Sequence, residues 1–264
     1  MYALFLLAHT AAAAPIIDSW EDIVTPPSAG EGYWEEQRQL ILEECSYDIA
    51  FCQRVYTAQP RATRNPNLYR FTDPELLNPS LIPIHLARFY DIKTPESVRL
   101  ALLDLLRKTD GEWAQGLLPA IQDPSETIRK SLAEISRYST PETAQEMLST
   151  LSSDLSESVR AAAVQGMGYQ DSNTFRKELE RGLQDESSLV RYSAARSIGW
   201  SNTTVPLLQL LPLLSDESAL VRLHTLRTIG RLYPEQARDL KQLPVLQQDP
   251  DPKVRAEAQR VQTL

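Results

Sequence analysis

Hydrophobic and polar positions along this chain recur with two periods, one nested in the other. Over short windows the apolar residues fall three and four apart, as in Val159, Ala163, Val164 and Met167, and again in Val190, Ala194, Ala195 and Ile198, which is the buried stripe of a helix. Over long windows the pair Val-Arg or Ile-Arg returns at Val98-Arg99, Ile128-Arg129, Val159-Arg160, Val190-Arg191, Val221-Arg222 and Val254-Arg255, in steps of 30, 31, 31, 31 and 33 residues. A fixed period of that length predicts stacked helix pairs, each too small to close a core alone and buried by its neighbours.

The columns of the repeat predict its parts. First helices are expected near 83–90, 111–121, 141–152, 173–183, 204–214 and 235–247, and second helices near 95–107, 125–137, 156–167, 187–198, 218–229 and 252–262. Asp123, Asp154, Asp185, Asp216 and Asp249 stand five residues before the Val or Ile, with Lys93 as the odd member. Ser125, Ser156, Ser187, Ser218 and Asp251 stand three before it and are helix-capping types. Gly168, Gly199 and Gly230 stand nine after it and are expected to end the helix in the left-handed conformation. The small alanines let adjacent helices approach closely. Burial should peak at Val159, Met167, Val190, Ile198, Val221 and Ile229.

This Asp-x-Ser-x-x-Val-Arg-x-x-Ala-x-x-x-Ile-Gly pattern resembles the HEAT-like repeats of the short kind also found in phycobilin lyases, best at residues 154–168, 185–199 and 216–230. The resemblance covers about residues 83–264. It implies an all-α fold, a right-handed α-solenoid of about six helix pairs. For function it implies little, since such arrays host unrelated roles.

The residues before the array divide into three parts. The segment 1–13 reads as a signal peptide: a short apolar run from Met1 to Leu7 precedes the small residues Ala11 to Ala14, with cleavage expected near Ala13–Ala14 because Pro15 obstructs a later cut. No Lys or Arg precedes the run, so either the true start lies upstream or this is not a signal; the remaining features favour export to the periplasm or the outside. Residues 14–32 read as an acidic flexible arm with Pro15, Pro26, Pro27, Gly30 and Gly32, and 33–82 as an N-terminal helical cap. The chain contains two cysteines, Cys45 and Cys52. Export favours a disulfide over two buried thiols. Seven residues of straight helix rise ~10.5 Å, so the bond requires a helix break between them.

Charge narrows the partners. Of the net charge of −8, residues 18–60 carry −7 and everything after residue 60 carries −1. With a pI near 5.1, nucleic acid gets no bulk electrostatic help, and DNA binding of the kind seen in HEAT-like alkylation-repair glycosylases is disfavoured. Candidate chemistry is sparse. Beyond the leader only His85 and His224 remain, and neither is followed by Glu. That disfavours the HEAT-type enzymes that bind iron through His-Glu pairs. Neither a Gly-x-Ser-x-Gly motif nor a Gly-rich phosphate loop is present. His224 reads as an exposed residue of a second helix. No cofactor, metal or catalytic group is expected.

Three columns could carry recognition. The Arg column follows the Asp column by six residues, so each Arg can pair with an Asp of its own or the next repeat, and structural pairing outweighs an anion-binding ladder. Six residues past the Val or Ile run Asp104, Glu134, Gln165, Arg196, Arg227 and Arg260, an acidic-to-basic gradient. Ten past it run Lys108, Tyr138, Tyr169, Trp200 and Arg231, with three aromatics at 31-residue spacing. The aromatics either pack back past the glycines or form a strip; the gradient is either a solvated face or its flank. Together Tyr138, Tyr169, Arg196, Trp200, Arg227 and Arg231 make a candidate protein-binding surface with the composition of a hot spot. The expected function is a non-catalytic, exported, monomeric scaffold whose second-helix face binds a partner protein, one of acidic character. The alternative is a lyase-like tetrapyrrole-handling role, as in the phycobilin lyases.

Overall fold

The computed structural model describes residues 82–264, apart from 93, 110–112, 171–172 and 202. The expected signal peptide, acidic arm and cap, the Cys45–Cys52 bond and Lys93 lie outside the described residues. Every regular element among the described residues is helical. The chain divides into two units, Met1–Trp113 and Ala114–Leu264.

In the first unit, α1 (Ile82–Tyr90) is followed by α2 (Glu96–Leu106), which buries Val98, Leu102, Leu103, Leu105 and Leu106. The turn between them is tied by the Thr94 hydroxyl, which donates to the Arg88 carbonyl at 2.8 Å. Arg99 donates from Nε to the Phe89 carbonyl at 3.0 Å and lies over the Phe89 ring. The short α3 (Trp113–Gly116) follows, and the Trp113 indole N–H donates to the Thr109 carbonyl at 3.0 Å.

The second unit is an α-solenoid. Its second helices are α4 (Glu126–Ile135), α6 (Glu157–Met167), α8 (Ser188–Ser201), α10 (Ala219–Leu232) and α13 (Pro252–Gln262). Each packs chiefly on the second helix of the next repeat. Val159, Met167, Val190, Ile198, Val221 and Ile229 are all buried, as their columns predict. The first helices are less regular. The α5 helix (Pro141–Leu151) is continuous, and α7 is short (Arg176–Gly182). The expected 204–214 helix resolves into α9 (Leu207–Leu210) and a 3₁₀ turn over Leu211–Ser215, and the expected 235–247 helix into α11 (Pro234–Arg238) and α12 (Leu243–Leu246). Pro212 and Pro244 sit in the first turn of the later piece of each pair, where a missing N–H breaks the α-helical ladder but suits a helix start.

The Arg and Asp columns interlock. Arg160 donates from Nε and Nη2 to the two carboxylate oxygens of Asp185, both at 2.9 Å. Its Nη1 donates to the carbonyls of Asp154 and Leu155 in its own loop. The same bidentate bond joins Arg129 to Asp154, Arg191 to Asp216 and Arg222 to Asp249. Each Asp also accepts from the backbone N–H two residues on, as Asp185 does from Ser187 at 2.9 Å. One carboxylate thus closes its own loop and receives the preceding repeat. The last step of the sequence is longer, and the Arg222–Asp249 bond persists because the broken α11–α12 segment absorbs the extra residues. The Ser column caps as expected at Ser125, Ser156 and Ser187, while Ser218 makes no side-chain cap and its loop relies on Asp216.

Burial opposes ionisation of Asp185, but the Arg160 hydrogen bonds, the Ser187 N–H and the Arg160 and Arg191 charges hold its carboxyl below the usual value. A depressed carboxylate pKa contributes stability that is present above the unfolded pKa and is lost as pH falls through the folded one. Asp185→Asn should cost about 1–2 kcal/mol at neutral pH, the difference between a charged and a neutral hydrogen-bonded pair. It should also flatten the fall of melting temperature below about pH 4. Equal acid dependence in variant and wild type would show that this bond does not couple the repeats.

The glycine column has a different cause from the one expected. Gly168 has φ −65°, right-handed and not left-handed, and α8 and α10 run on through Gly199 and Gly230. What these positions lack is room. A Cβ on Gly168 would lie 2.9 Å from the Ser197 hydroxyl oxygen, and one on Gly199 would overlap the Thr228 hydroxyl. Thr228 occupies that space because its hydroxyl donates to the Ala195 carbonyl at 2.7 Å across the helix pair. The glycines are where consecutive second helices touch.

Candidate second-helix recognition edge

The ladder runs along the N-terminal ends of the second helices, and the candidate residues lie at their C-terminal ends. Tyr138 closes the 3₁₀ turn Ser136–Tyr138 after α4, Tyr169 follows the Gly168 cap of α6, and Trp200 and Arg231 occupy the last turns of α8 and α10. The column position just past the glycine contacts puts these side chains on one edge. Tyr138, Tyr169 and Trp200 are 41%, 44% and 47% exposed.

The structure joins these residues through cations. Tyr169 and Trp200 lie with ring centroids 5.4 Å apart, and the Arg196 guanidinium stands 4.4 Å over the Trp200 ring. Tyr138 enters the strip through Arg137, which lies over both the Tyr138 and Tyr169 rings at 4.6 and 5.2 Å and donates to the Tyr138 hydroxyl. Arg137 was not among the sequence candidates because it stands one position before the aromatic column.

At the basic end the strip opens into a cleft of about 230 Å³ between α8 and α10, lined by Arg196, Gly199, Trp200, His224, Arg227, Thr228 and Arg231. Four of the six sequence candidates line it. His224, expected to be exposed, is half-buried here and meets the Tyr192 ring edge-on at 4.8 Å. Burial, and then the charges of Arg227 and Arg196, push its imidazole down to about 4 against the weaker pull of Glu257. It is neutral at neutral pH. A signal for it did exist in the sequence: three residues past the Val or Ile the repeats carry Ala101, Ser131, Ala162 and Ser193, and then His224 and Glu257 break that run of small residues.

The charge gradient has a structural share. Glu134 meets Lys130, and Arg260 is held by Glu257 at 2.6 Å. Glu257 reaches Arg227 only at 3.5 Å. A second, wider cavity of about 520 Å³ lies on the opposite edge and includes Arg129 and Asp154 of the ladder; those two are already bonded to each other. Among the described residues no three His, Cys, Asp or Glu side chains cluster as metal ligands, and no helix is long and apolar enough to cross a membrane.

Residues 144–211, spanning α5 to α9, match the family described as HEAT repeats. No curated protein matches the chain. Among solved structures, human deoxyhypusine hydroxylase in complex with glycerol aligns over 99% of this chain and 98% of its own, at 14% identity and a TM-score of 0.38. The matched residues lie within the second unit, whose helix pairs on either side of them belong to the same α-solenoid.

Proposed function

We propose that this chain is an exported, non-catalytic scaffold that binds a partner protein along the C-terminal edge of its second helices. The observation that carries the reading is the strip itself: three half-exposed rings in successive repeats, two of them in contact, with Arg137 and Arg196 stacked on them. Aromatic and Arg side chains are the residue types that dominate binding energy. Here cation–π contacts hold them in place before a partner arrives, which lowers the ordering cost of association. HEAT repeats are typically interaction surfaces, and the cations and rings of the cleft suit an acidic protein, while the chain's net charge of −8 disfavours nucleic acid.

The test is affinity capture with the full chain, its Trp200→Ala variant and a Leu155→Ser control as baits. Leu155 is 99% exposed on the ladder edge. A protein retained by the wild type and the control, and lost from Trp200→Ala, is the expected result. Equal recovery by all three baits contradicts this surface.

Export rests on the apolar run and small residues of the first fourteen positions. Intact-mass measurement of the protein recovered outside the cytoplasm should give a chain starting near Ala14 and two hydrogens lighter than reduced, for a Cys45–Cys52 bond. A mass retaining Met1, or two thiols alkylated without reduction, contradicts export and the bond respectively.

A further inference from the structure

The cleft at the basic end of the strip has a chemical bias that the strip as a whole does not. Arg196, Arg227 and Arg231 converge on it from α8 and α10. Their neutralisation is incomplete. Arg196 contacts the Tyr192 hydroxyl at 3.5 Å and the face of Trp200, neither of them an anion. Arg227 shares Glu257 at 3.5 Å, while Arg260 holds that same carboxylate at 2.6 and 2.9 Å. Arg231 has no carboxylate partner among the described residues. The ladder edge is the contrast: there Arg129, Arg160, Arg191 and Arg222 each hold both oxygens of an Asp. Three guanidinium groups around a small cleft, without a carboxylate seated in it, form a site for an oxyanion.

We propose that the α8–α10 cleft is an oxyanion-binding site that seats an acidic group of the partner, held by Arg196, Arg227 and Arg231 against the Trp200 ring, with His224 in its lining. The proposal rests on the recognition reading above and names its chemistry. An oxyanion here replaces the missing counter-charge. It also acts on His224, which faces Tyr192 and Arg196 from α8, Arg227 and Arg231 from its own helix, and Glu257 from α13. The empty cleft disfavours the imidazolium because of burial and the neighbouring Arg charges. A bound anion opposes those charges, so the His224 pKa rises on binding and the complex takes up protons as pH falls. The shared chemistry is an oxyanion; its source is either the carboxylates of an acidic peptide or the phosphoryl group of a modified side chain.

The experiment uses the full chain and three probes: an alternating Glu-Asp hexapeptide, its Gln-Asn counterpart, and a neutral hexapeptide carrying one phosphoserine. Nuclear magnetic resonance follows the His224 imidazole, assigned by His224→Gln, through a pH titration with and without each probe. Binding by the acidic peptide, with His224 titrating at higher pH in the complex and no effect of the Gln-Asn peptide, supports a carboxylate site. Binding by the phosphoserine peptide alone supports the same site with a phosphoryl source. Arg227→Gln should weaken either binding event roughly tenfold, the loss of one charge-assisted contact, and its melting temperature reports whether the fold is kept. Binding by neither anionic probe, or a His224 titration unchanged at saturation, overturns the site. In that case, loss of the captured partner from Trp200→Ala would still leave the recognition edge standing. Anion binding with capture indifferent to Trp200 would keep the site and remove the edge.

Discussion

Replacing Val190 by Asp should lower the stability of the second unit by about 4 kcal/mol, the largest effect expected of any single change here. Val190 is 1% exposed and lies in the first turns of α8, the helix that packs against both α6 and α10. The substitution removes a buried apolar side chain, worth about 1.5–3 kcal/mol, and adds a carboxylate with no cation in the seam. The Arg of the same repeat cannot rescue it, because Arg191 already holds Asp216 through Nε and Nη2 and its own loop through Nη1. In an array each helix pair is buried by its neighbours, so the damage spreads to the repeats on both sides. For a unit of this size the melting temperature should fall by roughly 8–16 °C. Leu189→Asp is the control: Leu189 is 43% exposed, and its change should stay within about 0.5 kcal/mol. A Val190→Asp protein that melts with the wild type would overturn the assignment of this column to the core.

The buried columns were legible because burial in a stack repeats with the chain. Val159, Val190 and Val221 occupy equivalent seams, so one helical period and one long period locate them. The ladder was legible for the same reason: in five of the six repeats an Asp stands six residues before the Arg, which leaves a partner in its own or the next repeat. The structure uses the carboxylate of the next repeat and the carbonyls of the Arg's own loop, as at Arg160. The glycines were misread because a glycine at a helix end has two uses, a left-handed turn or a close approach, and its own position does not distinguish them. The distinguishing residues lie a repeat away. Gly168 faces Ser197, and Gly199 faces Thr228, small hydroxyl residues in one column whose hydroxyl can reach the facing helix only across a glycine. The split first helices were hidden in another way. Their apolar period continues through Pro212 and Pro244, but backbone hydrogen bonding does not.

The candidate edge was half legible. Identical spacing brought out Tyr138, Tyr169 and Trp200, and Arg196, Arg227 and Arg231 came from columns that vary. Arg137 stands with Arg107 in the column that is glycine in the next three repeats, and Tyr192 and His224 are each single in theirs. Their roles depend on how far long side chains reach across neighbouring helices, as in Arg137 over both tyrosines, and reach of that kind is set by packing rather than by period.

Trp200→Ala should weaken binding of the partner by about 2 kcal/mol or more, roughly thirtyfold, while changing stability by about 1 kcal/mol. The two numbers separate because of where the ring sits. It is 47% exposed, so half of its surface is available to a partner and only the remainder supports the fold. Its neighbours Tyr169 and Arg196 hold it from the sides, and a large ring fixed in that way loses little entropy on binding. Arg196→Ala and Arg227→Ala should act differently, lowering the association rate and its salt dependence because their charges draw in an acidic partner before contact, and also speeding dissociation because each guanidinium lines the cleft. Melting temperature and partner affinity measured side by side on the captured protein decide the matter. A ring that served only to pack past Gly199 would give the reverse result for Trp200→Ala, a large loss of stability with affinity unchanged. That outcome would make the aromatic column part of the architecture and move the binding face elsewhere on the array.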